Sequence, residues 1–537
     1  MKKYIFYIAS ILLFVQCAQR GTPSGGPKDI TPPKLVRAVP DTLSTNVSPK
    51  LKEITLTFDE LVQLKDYSKN IIISPPVEPA PTFLPAGTAS REVQVKFNDT
   101  LRPNTTYTIN FGQSIVDNNE GNPYSFFTYV FSTGKTIDSL TLSGEVKDMM
   151  SNEPLKDIVV ALYEVGKNYS DSVVFKEKPY YIAKVDSANR YEFKYLKAGK
   201  FRLVAFEDKV PNVKIDLKQE KMAFASEIID TQTTRVAATL ALFTPEQGYR
   251  YQDGKQEGYG RINFYVTGNP EKMEVKPISH DLGELLQIHR AYSDTLQMYF
   301  NPEKANFKDK RTRLKFTLTH DAVTDSIPTV LYDNSIKYNF KVYGGTDDMT
   351  PAKKLQIGAD YPIDTFNTKF ISVKKDSVAL DFTVKKINYR KLQIDFPIQW
   401  ESKYQVELLP GAITNWFGKE NDTVAIDFGT KRERDYGNLE LILQNKPDSP
   451  FWLKLYDDST NKVVYSIYTT DSKFDFKFLP PKKYHFQIWV DENKNKRYDT
   501  GNILENRQPE PVYIYPDPIN VKAFWDVKET WVLPKKE

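Results

Sequence analysis

Alternation with a period of two is the pattern that most limits what this chain can become. In Ile54-Thr-Leu-Thr-Phe58, Val93-Gln-Val-Lys-Phe97 and Tyr107-Thr-Ile-Asn-Phe111, apolar and polar residues change places at every step. Successive side chains of a strand point to opposite faces, so each segment buries one face and wets the other. Gly, Pro, Asn and Asp separate the runs, which is the chemistry that turns between short strands require. No window of 3.6-residue periodicity longer than three turns competes with them. Many short strands with frequent turns make sandwiches, so the expected fold class is all-β, built as tandem β-sandwich domains. The 537 residues leave room for roughly three to five of them at about 100–150 residues each.

Composition removes several function classes. Lys+Arg 73 against Asp+Glu 69 gives a net charge of +4, too little over this length for a nucleic-acid binder. One Cys and four His exclude zinc clusters, disulfide frameworks and Cys–His nucleophilic pairs together. His280, His289, His320 and His485 lie far apart, and none sits in a Gly-x-Ser-x-Gly or His-Glu-x-x-His setting. No phosphate-binding glycine loop is present, and 69 acidic residues make any single carboxylate pair uninformative without geometry. The chain is expected not to be an enzyme, and no catalytic residue is assigned.

The N-terminus reads MKKYIFYIASILLFVQC. Lys2 and Lys3 precede an apolar stretch, Tyr4 to Val15, that is short for a permanent span, and the chain's single cysteine, Cys17, follows directly. This resembles a bacterial lipoprotein signal, with Gln16 departing from the usual small residue. The resemblance implies that Cys17 is lipidated and becomes the mature N-terminus, a stable anchor in the outer membrane. From Ala18 to Pro33, glycines and prolines with few apolar residues form a tether. The segment resembles the start of Ig-like lipoproteins of the Bacteroidetes. Ala18, Gln19 and Arg20 are not the acidic residues associated with surface export there, which leans toward the periplasmic face and leaves the face open. The triplet Asp–Ser/Thr–apolar recurs at Asp41, Asp99, Asp138, Asp171, Asp186, Asp294, Asp325, Asp376 and Asp422, against about two expected from composition. It resembles an O-glycosylation pattern of Bacteroidetes envelope proteins, and equally it is turn chemistry ahead of a strand.

Internal repeats organise the rest. Tyr191 to Asp208 aligns without a gap to Phe474 to Asp491, with aromatics matched at 191/474, 193/476, 195/478, 201/484 and 206/489. Both copies resemble the prealbumin-like, carboxypeptidase-regulatory-like sandwich, with Leu196, Gly199 and Phe201 in its turn and Lys482 in place of the second glycine. A weaker repeat pairs Tyr107–Phe131 with Tyr404–Phe428, each with a glycine, Gly121 or Gly418, ten residues before the phenylalanine. The first of these, with Ile115-Val-Asp117, resembles the bacterial Ig-like domain known from S-layer proteins. The expected organisation is a signal peptide over 1–16, lipidated Cys17 and tether over 17–33, an Ig-like domain over 34–136 and a prealbumin-like domain over 137–245. An unassigned β-rich domain follows over 246–340, then a degenerate second Ig-like domain over 341–434 and a second prealbumin-like domain over 435–537.

One loop carries chemistry. Asp491-Glu-Asn493-Lys-Asn495-Lys-Arg497-Tyr-Asp499 places side-chain oxygens at alternate positions, with the Arg497 carbonyl between, and a hard cation such as calcium needs such converging oxygens. Asp208, Asn212 and Asp216 keep a remnant of it in the first copy. Lys496 stands where a glycine is expected, and Asn502 where a bidentate Glu is; the alternative is an Asx turn in which Asp491 and Asn493 bond backbone N–H groups. Calcium here would be structural, and no cofactor is required. Trp452, Trp489, Trp525 and Trp531 crowd the last domain, divided between core and binding surface. Arg507 to Pro516, with three prolines, cannot be a central strand. His485, aligned with Arg202, is expected on a solvent-facing strand position. The function expected is that of an outer-membrane lipoprotein with an envelope protein as partner, a scaffold or accessory subunit; the rival is a surface glycan-binding or adhesion protein.

Overall fold

The structure is a computed structural model that describes residues 29–534 apart from 126, 211, 217–219 and 306. Strand takes 48% of the described residues and helix 4%, so the fold is all-β, in tandem sandwiches. Among the described residues the one α-helix is a single turn, Tyr67–Asn70. The chain divides into two compact units. One runs to Val146 and takes in Lys156–Ile215 and Glu227–Leu240; the other holds Lys147–Leu155, Asp216–Ser226 and Ala241–Glu537.

The first unit opens with a sheet in the order Leu35–Val39, Glu53–Leu64, Ser90–Lys96, Thr82–Leu84, and Ile115–Asp117 pairs with the far end of Glu53–Leu64. A second sheet, Ile72–Ser74, Thr106–Asn110, Thr128–Ser132, lies against it. The alternation does what it predicts: Ile54, Leu56, Phe58, Val93, Val95, Tyr107, Ile109 and Phe131 are all at most 1% exposed and form one core. Each such side chain contributes about 1.5–3 kcal/mol. The unit continues with Tyr181–Lys184, Ile158–Glu164 and Lys200–Glu207 in one sheet, and Arg190–Leu196 paired with Leu140–Asp148 in another.

In the second unit, Arg250–Gly258, Arg261–Thr267, Thr295–Phe300 and Leu285–His289 form a sheet whose inner face packs Phe264, Leu296 and Met298 against Phe316 and Leu318. The segment without a family resemblance is therefore also a sandwich. The next one runs Val342–Gly345, Leu355–Ala359, Lys391–Asp395, Thr383–Asn388 in one sheet and Val378–Ala379, Ile371–Lys375, Lys403–Leu408, Val424–Gly429 in the other. Its strand order repeats that of the opening sandwich, down to Ile363–Phe366 pairing with Ile413–Asn415. Arg390 donates to Gln297 Oε1 at 3.0 Å, Arg261 to the Asp360 carbonyl at 3.2 Å, and Tyr259, Tyr338, Tyr361 and Phe417 pack edge to face, so these two sandwiches are joined by a filled junction. The last sandwich has Lys462–Thr469, Phe451–Asp457, Lys482–Val490, Val512–Ile514 in one sheet. The other holds Lys473–Leu479, Gly437–Gln444 and, in parallel, Asp526–Val532.

Candidate functional site

Strand Lys482–Val490 delivers Asp491 to the mouth of the loop with no exposed surface. Asp491 Oδ1 accepts from Asn495 N at 3.0 Å, and its Oδ2 from Lys496 N at 2.8 Å and the Tyr468 hydroxyl at 2.7 Å. Asn493 Oδ1 accepts from Asn495 N at 3.0 Å, and Asn495 Oδ1 from Arg497 N at 2.7 Å. Both asparagine amides then donate to Asp499 Oδ2, at 2.5 and 2.6 Å. The side chains named for calcium do converge, and what closes the loop is the Asx geometry, each accepting or donating within it. Among the described residues no group of three or more His, Cys, Asp or Glu stands where it could hold a metal ion.

The sixth loop position explains how a lysine replaces glycine. Lys496 has φ +64° and the matching Val213 has φ +56°, the left-handed region that favours glycine. In both copies an aspartate holds that residue's N–H: Asp208 Oδ1 accepts from Asn212 N and Val213 N at 3.1 and 3.2 Å, and Asn212 Oδ1 from Lys214 N at 2.8 Å. The hydrogen bonds repeat position by position, so Asp208 and Asn212 keep a turn, and the conserved spacing of the two copies has that physical cause. Asp216 lies apart from this pattern, its N–H donating to Glu220 Oε2 at 2.7 Å.

Sequence reasoning missed Glu510. Its Oε1 accepts from Glu492 N at 2.7 Å and its Oε2 from Asp499 N at 2.9 Å, so one buried carboxylate clamps both ends of the loop. Burial pushes its pKa up, against the lowering by those amides. The available signal was that Glu510 is the one charged residue between Gln508 and Pro516. That proline-rich segment is a loop followed by a short edge strand, Val512–Ile514, on Lys482–Val490.

The outer face of the same sheet is an aromatic and cationic strip. Trp452 Nε1 donates to the Lys496 carbonyl at 3.2 Å, and the Lys454 ammonium lies 3.0 Å from the centre of the Trp489 ring, which meets Tyr498 edge-on at 5.4 Å. Burial pulls the Lys454 ammonium down to about 8. Trp531 is core, whereas Trp525 is 56% exposed beside Phe524 at 83%. Arg497 to Thr500 form part of the wall of an open cleft of 1790 Å³, where the Arg497 guanidinium covers Tyr292 at 3.6 Å from the ring centre. Six carboxylates, among them Glu271, Asp294 and Asp499, face Lys272 and Arg497 there, a charge balance that favours cationic over anionic ligands.

The histidines are used locally. His320 stacks on Tyr249 with ring centres 3.3 Å apart and faces Asp325 at 3.5 Å; His289 Nε2 is 3.1 Å from the Ser293 carbonyl; His280 Nδ1 is 2.9 Å from Ser279 Oγ. His485 corrects the expectation of a solvent-facing position. Its ring stacks on Tyr456 at 5.0 Å and its Nδ1 is 3.1 Å from Asp458, while the matching Arg202 is buried and grips Asp171 through Nε and Nη2 at 2.8 and 2.9 Å. On that strand each of the two aligned side chains is met by a carboxylate from a neighbouring segment. Cys17 lies outside the described residues.

No curated protein matches the chain. Among solved structures, the mixed-linkage glucan utilization locus protein SGBP-B of Bacteroides ovatus is 11% identical over 83% of this chain and 100% of its own, at a TM-score of 0.18. The S-layer protein rSbsC(31–844) is 11% identical over 91% and 67%, at 0.13. The TIE protein of Bacillus anthracis is 11% identical over 96% and 76%, also at 0.13. Nothing about function follows from likenesses this distant. The family comparison is local and agrees with the paired sheets and core of the opening sandwich: residues 29–133 match the bacterial Ig-like domain.

Proposed function

We propose that this protein is a non-enzymatic lipoprotein, held to the outer membrane through Cys17, that acts by protein contacts. Its role is that of a scaffold or accessory subunit in an envelope complex assembling or exporting outer-membrane proteins. One observation carries the reading: the histidines and the Asp491–Asp499 loop are spent on local contacts, while the surface offers sheet edges and loops, the parts of a sandwich that partners use. The loop needs no cation in this reading, since both Asp491 oxygens are already met by N–H and O–H donors. A C-terminally tagged chain taken from native membranes in mild detergent, followed by mass spectrometry, tests it. A stoichiometric outer-membrane barrel in the eluate supports it, and that barrel's task becomes the function; a chain that elutes alone overturns it.

A second reading, a surface glycan-binding or adhesion protein, is favoured by the adjacent exposed rings of Phe524 and Trp525. Glycan-array binding that disappears on Trp525→Ala would establish it.

A further inference from the structure

We propose that strand Lys462–Thr469 pairs, antiparallel, with the same strand of a second copy of this chain, joining two sheets edge to edge about a twofold axis. The inference rests on the reading above, that the protein works by protein contacts, and names one partner.

The edge is free and it is unguarded. Lys462–Thr469 is the terminal strand of its sheet, paired only with Phe451–Asp457 among the described residues. Val463, Val464, Tyr465 and Ile467 are 49, 41, 42 and 36% exposed. An unpaired strand of this kind is a template for another strand, and folded proteins blunt such edges with charge, proline or shortness. Other edges of this chain are blunted in those ways. Leu35–Val39 carries Arg37 and runs into Pro40, Thr383–Asn388 carries Lys385 and Lys386, and Arg250–Gly258 carries four charged residues in nine. From Val463 to Thr469 there is no charge and no proline.

The first prealbumin-like copy supplies an internal comparison. Its equivalent edge, Tyr181–Lys184, is four residues long and already met within the chain: Ile182 N donates to Ser74 Oγ at 3.2 Å and Lys184 Nζ to the Lys69 carbonyl at 2.6 Å. The later copy has the same edge at twice the length, eight residues, with no strand beside it among the described residues.

Charge selects a second copy as the occupant. The strand's one charge, Lys462, stands at its start, and the next, Asp471, two residues past its end; neither has an ion pair among the described residues. An antiparallel copy brings each Lys462 toward the other chain's Asp471, whereas a parallel one brings like charges together. Register follows from the pleat. A bulge between Tyr465 and Val463 disturbs the start of the strand, and regular pairing runs from Tyr465 to Thr469. Tyr465 points inward, against Phe476 at 5.4 Å, so Ile467 and Thr469 share its face. Centring the twofold on Ile467 sets Ile467 opposite its own copy and Tyr465 opposite the second copy's Thr469, which keeps the inner faces continuous.

Sedimentation of the full chain carrying Cys17→Ser, over roughly 1–100 µM, reads the proposal directly. The expected result is a concentration-dependent dimer that Ile467→Lys weakens by about tenfold or more, through a charge buried without a partner. Val378→Lys, at another exposed apolar position, is expected to leave it intact. In the same background Ile467→Cys supplies the only thiol and should give a disulfide-linked dimer, because opposed residues on such a pair lie within disulfide reach. A monomer throughout, or a dimer indifferent to Ile467→Lys with melting unchanged, overturns the proposal. If the chain is monomeric but an envelope protein is retained and lost on Ile467→Lys, the edge serves another partner and only the second-copy reading falls. If no partner is retained either, the functional reading falls with it.

Discussion

The Asp117 carboxylate collects four backbone N–H groups, from Asn119, Glu120 and Gly121 on Oδ1 and from Asn122 on Oδ2, at 2.7–3.0 Å. Asn415 stands at the corresponding turn and offers one amide oxygen to Phe417 and Lys419. Burial works to raise the Asp117 pKa, and the amides of Gly121, Glu120, Asn122 and Asn119 overcome it, so the net shift is downward from 3.8. A lowered folded value means that this contribution is complete above the unfolded value and is lost as pH falls through the folded one. Asp117→Ala is expected to cost about 2–3 kcal/mol at neutral pH in urea unfolding, and Asn415→Ala about 1 kcal/mol. The gap between wild type and Asp117→Ala should narrow as the measurement is moved below 3.8. A second contrast lies between the copies. Removing the buried fork by Arg202→Ala, which strands Asp171, should cost about 3–5 kcal/mol, whereas His485→Ala, beside a third-exposed Asp458, should cost about 1 kcal/mol or less. Equal losses at the two sites would mean that the aligned side chains play the same part after all.

At the scale of the element, the Tyr107–Phe131 and Tyr404–Phe428 pairs show what a repeat preserves. The rings stack at 5.3 and 5.1 Å with planes 15 and 17° apart, and each pair is directly opposed across its ladder. Each tyrosine hydroxyl accepts a backbone N–H five residues back, from Arg102 or Gln399. Thr133 and Thr430 close the same corner, each hydroxyl accepting an N–H at 3.0 Å and donating to a carbonyl at 2.7 Å. The repeat of Tyr191–Asp208 in Phe474–Asp491 preserves a backbone kink instead: Tyr195 and Phe478 both have φ near +60°, at the bulge where their strands leave the ladder. The Asp491 loop belongs to this scale. Its carboxylates are met by donors of its own, so the melting temperature is expected to be the same in chelator and in millimolar calcium, by differential scanning calorimetry. A rise of several degrees with calcium, removed by Asn495→Ala, would show that the two asparagine amides turn their oxygens inward and that the loop is a structural calcium site.

For the whole molecule, the proposed anchor is open to a direct test. Cys17→Ser is expected to release the protein from membranes into the soluble fraction, read by fractionation and immunoblot; firm attachment of the variant would place the anchor elsewhere. In the second unit, Arg261 and Arg390 and the rings around Tyr338 fill the junction between the sandwiches of 246–340 and 341–434. The segment that resembles no family is therefore packed against its neighbour through side chains of both. Arg390→Ala, which takes one of two donors from Gln297 Oε1 and the guanidinium from the Tyr299 hydroxyl, should lower the melting temperature of this part of the chain.

Sequence alone determined the fold class, because a period of two leaves a strand with one face to bury, and sandwiches are how many short strands bury it. It also determined which segments repeat, since stacked aromatics and turn carboxylates survive as spaced letters: 107 with 131, 404 with 428, 208 with 212, 491 with 495. Tertiary structure decided what spacing cannot express. Glu510 reaches the loop from eleven residues beyond Asp499, Arg202 finds Asp171 across 31 positions, and the edge at Lys462–Thr469 is open because no strand among the described residues was laid against it. Local alternation is a property of one strand, but a buried charge's partner and a sheet's free edge depend on which distant segment the folded chain brings alongside.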